Sequence, residues 1–116
     1  MFRVISLNIN GIRAGARKGF FEWFSAQKPD VLCLQEVKAT EDQLTDPIFS
    51  PKDYHRYLFP AQKKGYSGVA IYSRLKPNHV QYGLGWELAD TEGRYIQADF
   101  GKLIQICFNP PFRVYM

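Results

Sequence analysis

Two short polar clusters each follow an apolar run: Asn8-Ile9-Asn10-Gly11 near the start of the chain, and Gln35-Glu36-Val37-Lys38 further on. A carboxylate beside amide oxygens is a hard-oxygen environment suited to Mg²⁺, which takes few protein ligands and keeps several waters. Glu36 would anchor such a site and Asn8 and Asn10 would supply its amides, provided the two preceding runs are neighbouring strands. The ends of strands in open α/β sheets are where loops present side chains over a rigid edge. A blander assignment has Asn8 and Asn10 capping a turn, since Asn side chains bond nearby backbone amides and tolerate unusual dihedrals. Glu36 would then be a solvated carboxylate or a partner of Lys38. Spacing alone leaves both assignments open.

Two basic stretches accompany these clusters. Lys63-Lys64-Gly65-Tyr66-Ser67-Gly68 pairs positive charge with glycines that let a backbone approach a ligand closely. Arg13-Ala14-Gly15-Ala16-Arg17-Lys18 suits a phosphate grip at a helix start. An ordinary hairpin turn and an ordinary basic helix entry would look much the same. The formal net charge of +4 draws anionic partners such as a phosphate backbone, but many basic domains bind no nucleic acid.

The elements that must position these residues follow from patterning. Residues 2–7 are rich in β-branched and aromatic side chains and stop at a polar, Gly-containing turn, which predicts a strand. Phe20, Phe21, Trp23 and Phe24 recur near helical spacing, which predicts one amphipathic helix over residues 17–27, closed by Lys28-Pro29-Asp30. Residues 31–34 are continuously apolar, as in a strand covered on both faces. Thr40 and Gln43 match a capping box, so a short helix starts there and ends before Pro47. Further strands are expected at residues 54–59, 68–72, 95–100 and 103–108, separated by turn-forming pieces. This order is a mixed α/β layout with helices covering a sheet.

The chain has 116 residues, 46% of them hydrophobic and 22% charged, which fits one small packed domain and excludes a disordered or low-complexity chain. Its aromatic residues are in the main core material and only secondarily base-stacking candidates. Cys33 and Cys107 sit inside apolar runs, where a thiol behaves as a small hydrophobe, so no disulfide framework is indicated. No leader pattern and no stretch able to span a bilayer is visible, so the default expectation is a cytoplasmic protein with no membrane partner.

Four ordered blocks together resemble the exonuclease III family of apurinic/apyrimidinic (AP) endonucleases. They are Ser6-Leu7-Asn8-Ile9-Asn10-Gly11-Ile12-Arg13-Ala14, with Leu7 where an aromatic residue is usual, and Leu32-Cys33-Leu34-Gln35-Glu36-Val37-Lys38. The others are Gly65-Tyr66-Ser67-Gly68-Val69-Ala70 and Glu92-Gly93-Arg94-Tyr95-Ile96. The resemblance covers residues 2–103 and leaves 104–116 as an atypical tail. It implies the N-terminal half of a DNase I-like four-layer α/β sandwich, with mixed, mostly antiparallel sheets and helices outside. It also implies a DNA-repair hydrolase that cuts phosphodiesters at abasic sites and 3′ ends of double-stranded DNA, monomeric when complete. The implied cofactor is Mg²⁺, with Mn²⁺ as an alternative. By position, Asn8 and Glu36 carry over as metal-site residues, and Arg13, Lys18, Gly65 and Tyr66 as contacts to the DNA backbone. Asn10 falls beside the site, and Lys38 supports Glu36.

The same resemblance implies what is missing. The family's later half supplies an Asp and Asn pair on one loop and an Asp-His pair near the C-terminus, and none of these is present. His55 and His79 lie in the wrong blocks to replace that His. No catalytic residue is therefore assigned, and the chain alone is expected to be inactive. After Leu103 the tail replaces the strand and Tyr-x-Pro turn expected there, which reads as a shifted reading frame or a truncated gene model. Half of a two-sheet sandwich would leave an apolar sheet face and a strand edge bare. The rival expectations are a phosphodiesterase of the same superfamily acting on lipid headgroups, and a non-catalytic, partly folded fragment that binds DNA through its basic face.

Overall fold

The computed structural model describes residues 2–110. The elements run β1 (Val4–Asn8), α1 (Ile12–Arg17), α2 (Phe20–Gln27), β2 (Val31–Gln35), β3 (His55–Phe59), β4 (Val69–Ser73), β5 (His79–Tyr82), α3 (Glu87–Thr91), β6 (Tyr95–Asp99) and β7 (Ile104–Phe108). Two 3₁₀ turns, Glu41–Gln43 and Pro47–Phe49, lie between β2 and β3.

The first sheet has the order β1-β2-β4-β3, and the second has β5-β6-β7. β1 and β2 are parallel and every other pairing is antiparallel. A parallel pair needs a crossover, and α1 and α2 supply it, covering the outer face of the first sheet. This is the expected α/β layout: two facing sheets, mostly antiparallel, with helices outside.

β2 shows why a short apolar run belongs at the centre of such a fold. Leu32 and Leu34 point to the helices and pack with Phe21, Phe24 and Tyr72, while Val31 and Cys33 point to the second sheet and pack with Ile71, Ile96 and Cys107. A strand covered on both faces cannot alternate with polar residues. Tyr72 is buried in the helix-side core, and its hydroxyl donates to the Phe49 carbonyl at 2.7 Å.

The structure departs from the sequence expectations at the first helices, at β5 and at α3, which was not expected. The helix expected over residues 17–27 starts only at Phe20, because Gly19 takes φ of 91°, and a separate helix, α1, occupies residues 12–17, a segment not read as a helix of its own. β5 was not expected; it has only four residues and they are largely exposed. Residues 104–108 form β7, as the apolar run over residues 103–108 predicts, although the family resemblance had implied that the tail replaces the strand there. β7 pairs with β6 from Tyr95↔Phe108 to Asp99↔Ile104, and Cys107 seals the core between the sheets. Residues beyond Pro110, the end of the tail expected to be atypical, lie outside the described residues.

Candidate active site

The parallel register of β1 and β2 sets Asn8 directly beside Gln35, so the two polar clusters meet at one end of the sheet. Three loop segments are stitched together there by backbone hydrogen bonds. Gly11 N donates to Glu36 O at 2.8 Å and Ile12 N to Val37 O at 2.9 Å. Lys38 N donates to Ser67 O at 2.8 Å and Val37 N to Gly68 O at 3.0 Å. Asn10, Glu36, Lys38 and Ser67 all have φ between 46° and 56°, a region that non-glycine residues seldom occupy. Such positions gather where the surroundings over-determine the backbone, as in functional sites.

The side chains form a connected network. Asn8 Nδ2 donates to Glu36 Oε2 at 2.5 Å, while Asn8 Oδ1 accepts from Asn10 N at 3.0 Å. Lys38 Nζ donates to Asn10 Oδ1 at 2.6 Å and stands 3.7 Å from Glu36 Oε1. Asn8 therefore orients the carboxylate with its amide N–H, while its oxygen accepts from Asn10 N. Glu36 and Lys38 keep about a third of their side-chain surface in solvent. Asn8, Asn10, Glu36 and Lys38 are thus one cluster, and the turn-capping assignment of Asn8 is also realised within it.

Beside this cluster lies a cleft of about 320 Å³ lined by Gly11, Arg13, Ala14, Arg17, Lys38 and Gly65. Its three cations face no acidic lining residue, and Gly65 leaves open space where a Cβ would be, so a phosphate can approach the backbone closely. Arg13 spends one N–H on the Lys38 carbonyl at 3.2 Å, which aims the rest of the guanidinium. Lys18 is not in this cleft. It lines a separate, mostly apolar hollow of about 420 Å³ with Asn8, Leu7, Phe20 and Trp23.

Tyr66 is exposed at the cleft's other flank and is held from behind by Arg94, whose guanidinium donates to the Tyr66 hydroxyl at 2.8 Å. Arg94 is only 6% exposed, is paired with Glu92 at 2.8 Å, and also donates to the Asn109 and Pro110 carbonyls. The sequence quoted the Glu92-Gly93-Arg94 block without giving Arg94 a task, because nothing in one sequence distinguishes a buried arginine from a solvated one. Gly93 carried the better signal: a Cβ there would lie 2.5 Å from the Phe59 carbonyl oxygen, so only glycine fits. Arg17 was likewise seen only as part of a basic stretch.

Among the described residues no group of three or more His, Cys, Asp or Glu side chains could hold a metal. His55 and His79 begin β3 and β5 and are exposed. One carboxylate with a free rim fits Mg²⁺, which is commonly held by one or two carboxylates with water and phosphate oxygens completing the shell. Residues 31–35 and 69–73 carry no charge at all, so the rigid sheet leaves its chemistry to the strand ends.

A two-sheet α/β sandwich with one carboxylate and a cationic cleft at its strand ends is the framework of a phosphoester-processing domain. The chain belongs to the Endonuclease/Exonuclease/phosphatase family, whose model matches residues 5–112. It is 43% identical over 110 residues to the exodeoxyribonuclease of Bacillus subtilis (strain 168), spanning 94% of this chain and 42% of that protein. It is 41% identical over 100 residues to the DNA repair nuclease APEX1 of Danio rerio, spanning 84% of this chain and 32% of that one. Among solved structures, an AP endonuclease from Archaeoglobus fulgidus superposes with a TM-score of 0.81 at 32% identity, covering 96% of this chain and 42% of the other. The 3′ phosphatase NExo from Neisseria bound to product DNA hairpin superposes at 0.77 with 26% identity, over 91% of this chain and 40% of the other. The exonuclease III-type resemblance read in the sequence is therefore the one these relatives carry. The chain spans less than half the length of each of them.

Proposed function

We propose that this chain supplies the Glu36 side of a Mg²⁺-dependent DNA-repair nuclease site of the AP endonuclease and exonuclease III type. Mn²⁺ would serve in place of Mg²⁺, and the substrate would be double-stranded DNA at abasic sites or 3′ ends. The carrying observation is the juxtaposition of an oriented, part-exposed carboxylate with a cleft lined by Arg13, Arg17 and Lys38. When bound, the metal supplies stabilisation of charge on a phosphate oxygen. The chain's own residues do the rest of what this side can do. Asn8 fixes the carboxylate's direction, Arg13 and Gly65 seat the phosphate, and Tyr66, braced by Arg94, borders the bound strand. Lys18 meets the backbone at a second point.

Hydrolysis also needs a water held in line and activated, and the described residues offer no base beside the cleft. General acid–base assistance is worth about 10² to 10⁴ in rate, and lost positioning costs further powers of ten. The chain alone should therefore bind Mg²⁺ or Mn²⁺ weakly and leave AP-site DNA uncut. In calorimetry with Mn²⁺, Glu36→Gln should weaken binding at least about tenfold. Fused to the unmatched portion of the Bacillus subtilis exodeoxyribonuclease, the chain should cleave, and Glu36→Ala should stop it. Equal metal binding by the Glu36→Gln variant, or cleavage by the 116-residue chain itself, would overturn this reading.

A further inference from the structure

The pole of the sandwich opposite Glu36 carries a second cleft, of about 460 Å³, walled by three segments that meet where β2 begins. Lys28 follows the last residue of α2, Lys52, Asp53 and Tyr54 lead into β3, and Arg74 follows the last residue of β4. The register sets both Val31 and His55 opposite Ser73, which brings these three turns of the chain to one place. The length of β2, about 13 Å, separates them from the Glu36 end.

Positive charge gathers here without a partner. Among the described residues the ion pairs are Lys38 with Glu36, Arg56 with Glu41 and Arg94 with Glu92, so Lys28, Lys52 and Arg74 neutralise no carboxylate. An ordinary duty for such cations would be to cap the C-terminus of α2. That duty is already filled, because Gln27 O accepts from Arg3 Nη1 at 2.6 Å and Phe24 O from the Lys28 backbone N at 3.2 Å. Neighbouring acceptors are committed as well, the Pro29 carbonyl to the Tyr54 hydroxyl at 2.6 Å and Asp30 Oδ2 to Arg3 N at 2.7 Å. The three cations are exposed, and Asp53 is the one acid among the lining residues. The floor is less polar: Pro51 and Tyr54 are half-buried, and the Tyr54 ring is braced by Phe24 at 4.5 Å.

We propose that this cleft binds a mononucleotide, its phosphate held by Lys28, Lys52 and Arg74 and its sugar or base laid on Pro51 and Tyr54. Three cations against one carboxylate leave an excess of two positive charges, which matches the roughly two negative charges of a phosphate monoester at neutral pH. A guanidinium grips phosphate oxygens in pairs, and the ammonium groups add point charge. The cleft has the size of a small-molecule site. Asp53, when ionised, can only accept hydrogen bonds, so it favours a ligand that carries donors beside its phosphate, as sugar hydroxyls and base amines do, over orthophosphate. This site is independent of the proposed nuclease reading.

The test titrates the isotope-labelled full chain with deoxyadenosine monophosphate, and separately with orthophosphate, and follows the backbone amide resonances. Shifts centred on Lys28, Lys52, Asp53, Tyr54 and Arg74 are expected, with the nucleotide bound about tenfold more tightly than orthophosphate. Arg74→Ala and Lys52→Ala should each weaken nucleotide binding about tenfold, and Arg74→Lys, which keeps the charge without the fork, should fall between wild type and Arg74→Ala. Asp53→Asn should tighten orthophosphate about two- to fivefold, the scale of one exposed charge contact. Shifts confined to the cleft of Arg13 and Gly65, equal affinity for nucleotide and orthophosphate, or binding indifferent to Arg74→Ala would overturn the proposal. So would a weaker salt dependence of duplex binding in Lys52→Ala, which would make the cleft a contact to the DNA backbone instead.

Discussion

DNA binding by this chain should be governed by two separately placed phosphate contacts, because Arg13 and Lys18, five residues apart in sequence, line different hollows. Each phosphate neutralised on duplex DNA contributes about 0.9 to the slope of log affinity against log salt concentration. Arg13→Ala and Lys18→Ala should therefore each lower the slope by about 0.9, and the double variant by about 1.8. Between 50 and 200 mM salt, a slope change of 1.8 alters the affinity ratio of wild type to variant by about 12-fold, so most of the variant's defect vanishes at high salt. Fluorescence anisotropy with a short labelled duplex over a salt series measures this directly. Lys52→Ala is the control, since Lys52 lies with Lys28 and Arg74 near the beginning of β2, opposite the end that carries Glu36. An unchanged slope in the double variant, or an equal drop in Lys52→Ala, would show that both residues are ordinary surface charge.

Three further outcomes test the fold around the site. Burial pushes the Tyr72 hydroxyl from its ordinary value of 10.0 up to about 12, so the neutral form is favoured in the folded state. Its contribution is complete below pH about 10 and is lost as pH rises from there towards 12, and urea melts should show stability falling in that window, less steeply in Tyr72→Phe. Gly93→Ala would press a Cβ to within 2.6 Å of three backbone atoms at φ of 58°, and overpacking of that kind costs about 1–3 kcal/mol. A denaturation midpoint equal to wild type would contradict it. The neighbouring Cys107 thiol and burial hold Cys33 far above the ordinary thiol range, while the hydrogen bond with Cys33 lowers Cys107; because both thiols are buried, iodoacetamide should label neither until the chain unfolds. Rapid labelling of native protein would show that the inter-sheet core opens.

The sequence by itself determined the strand-forming runs, the buried character of β2 and the identity of the clusters that meet. These are local properties: an apolar run covered on both faces reads as such, and Asn-Gly or Pro-Asp punctuation ends it. Asn8, Glu36, Arg13 and Gly65 were likewise visible, because unusual residue types at strand ends stand out against apolar neighbours. The 3₁₀ turn at Glu41–Gln43 was legible from its cap, where Gln43 Oε1 accepts from Thr40 N at 3.1 Å.

Tertiary structure alone decided which of these residues act together. Arg94 looks solvated in sequence, and only the packing of β6 against the 62–68 loop buries it beneath Tyr66. Asn8 stands out in sequence by its amide, but only the fold shows that its oxygen accepts from the backbone N–H of Asn10 and its amide N–H faces Glu36. The β7 strand follows from its apolar run, but only the tertiary structure shows that Cys107, opposite Ile96, seals the core between the two sheets. Lys18 was grouped with Arg13 by proximity along the chain, and the break between α1 and α2 at Gly19 sends the two to different hollows. In each case the deciding contact joins residues far apart in sequence or depends on a backbone angle, and neither is encoded in local pattern.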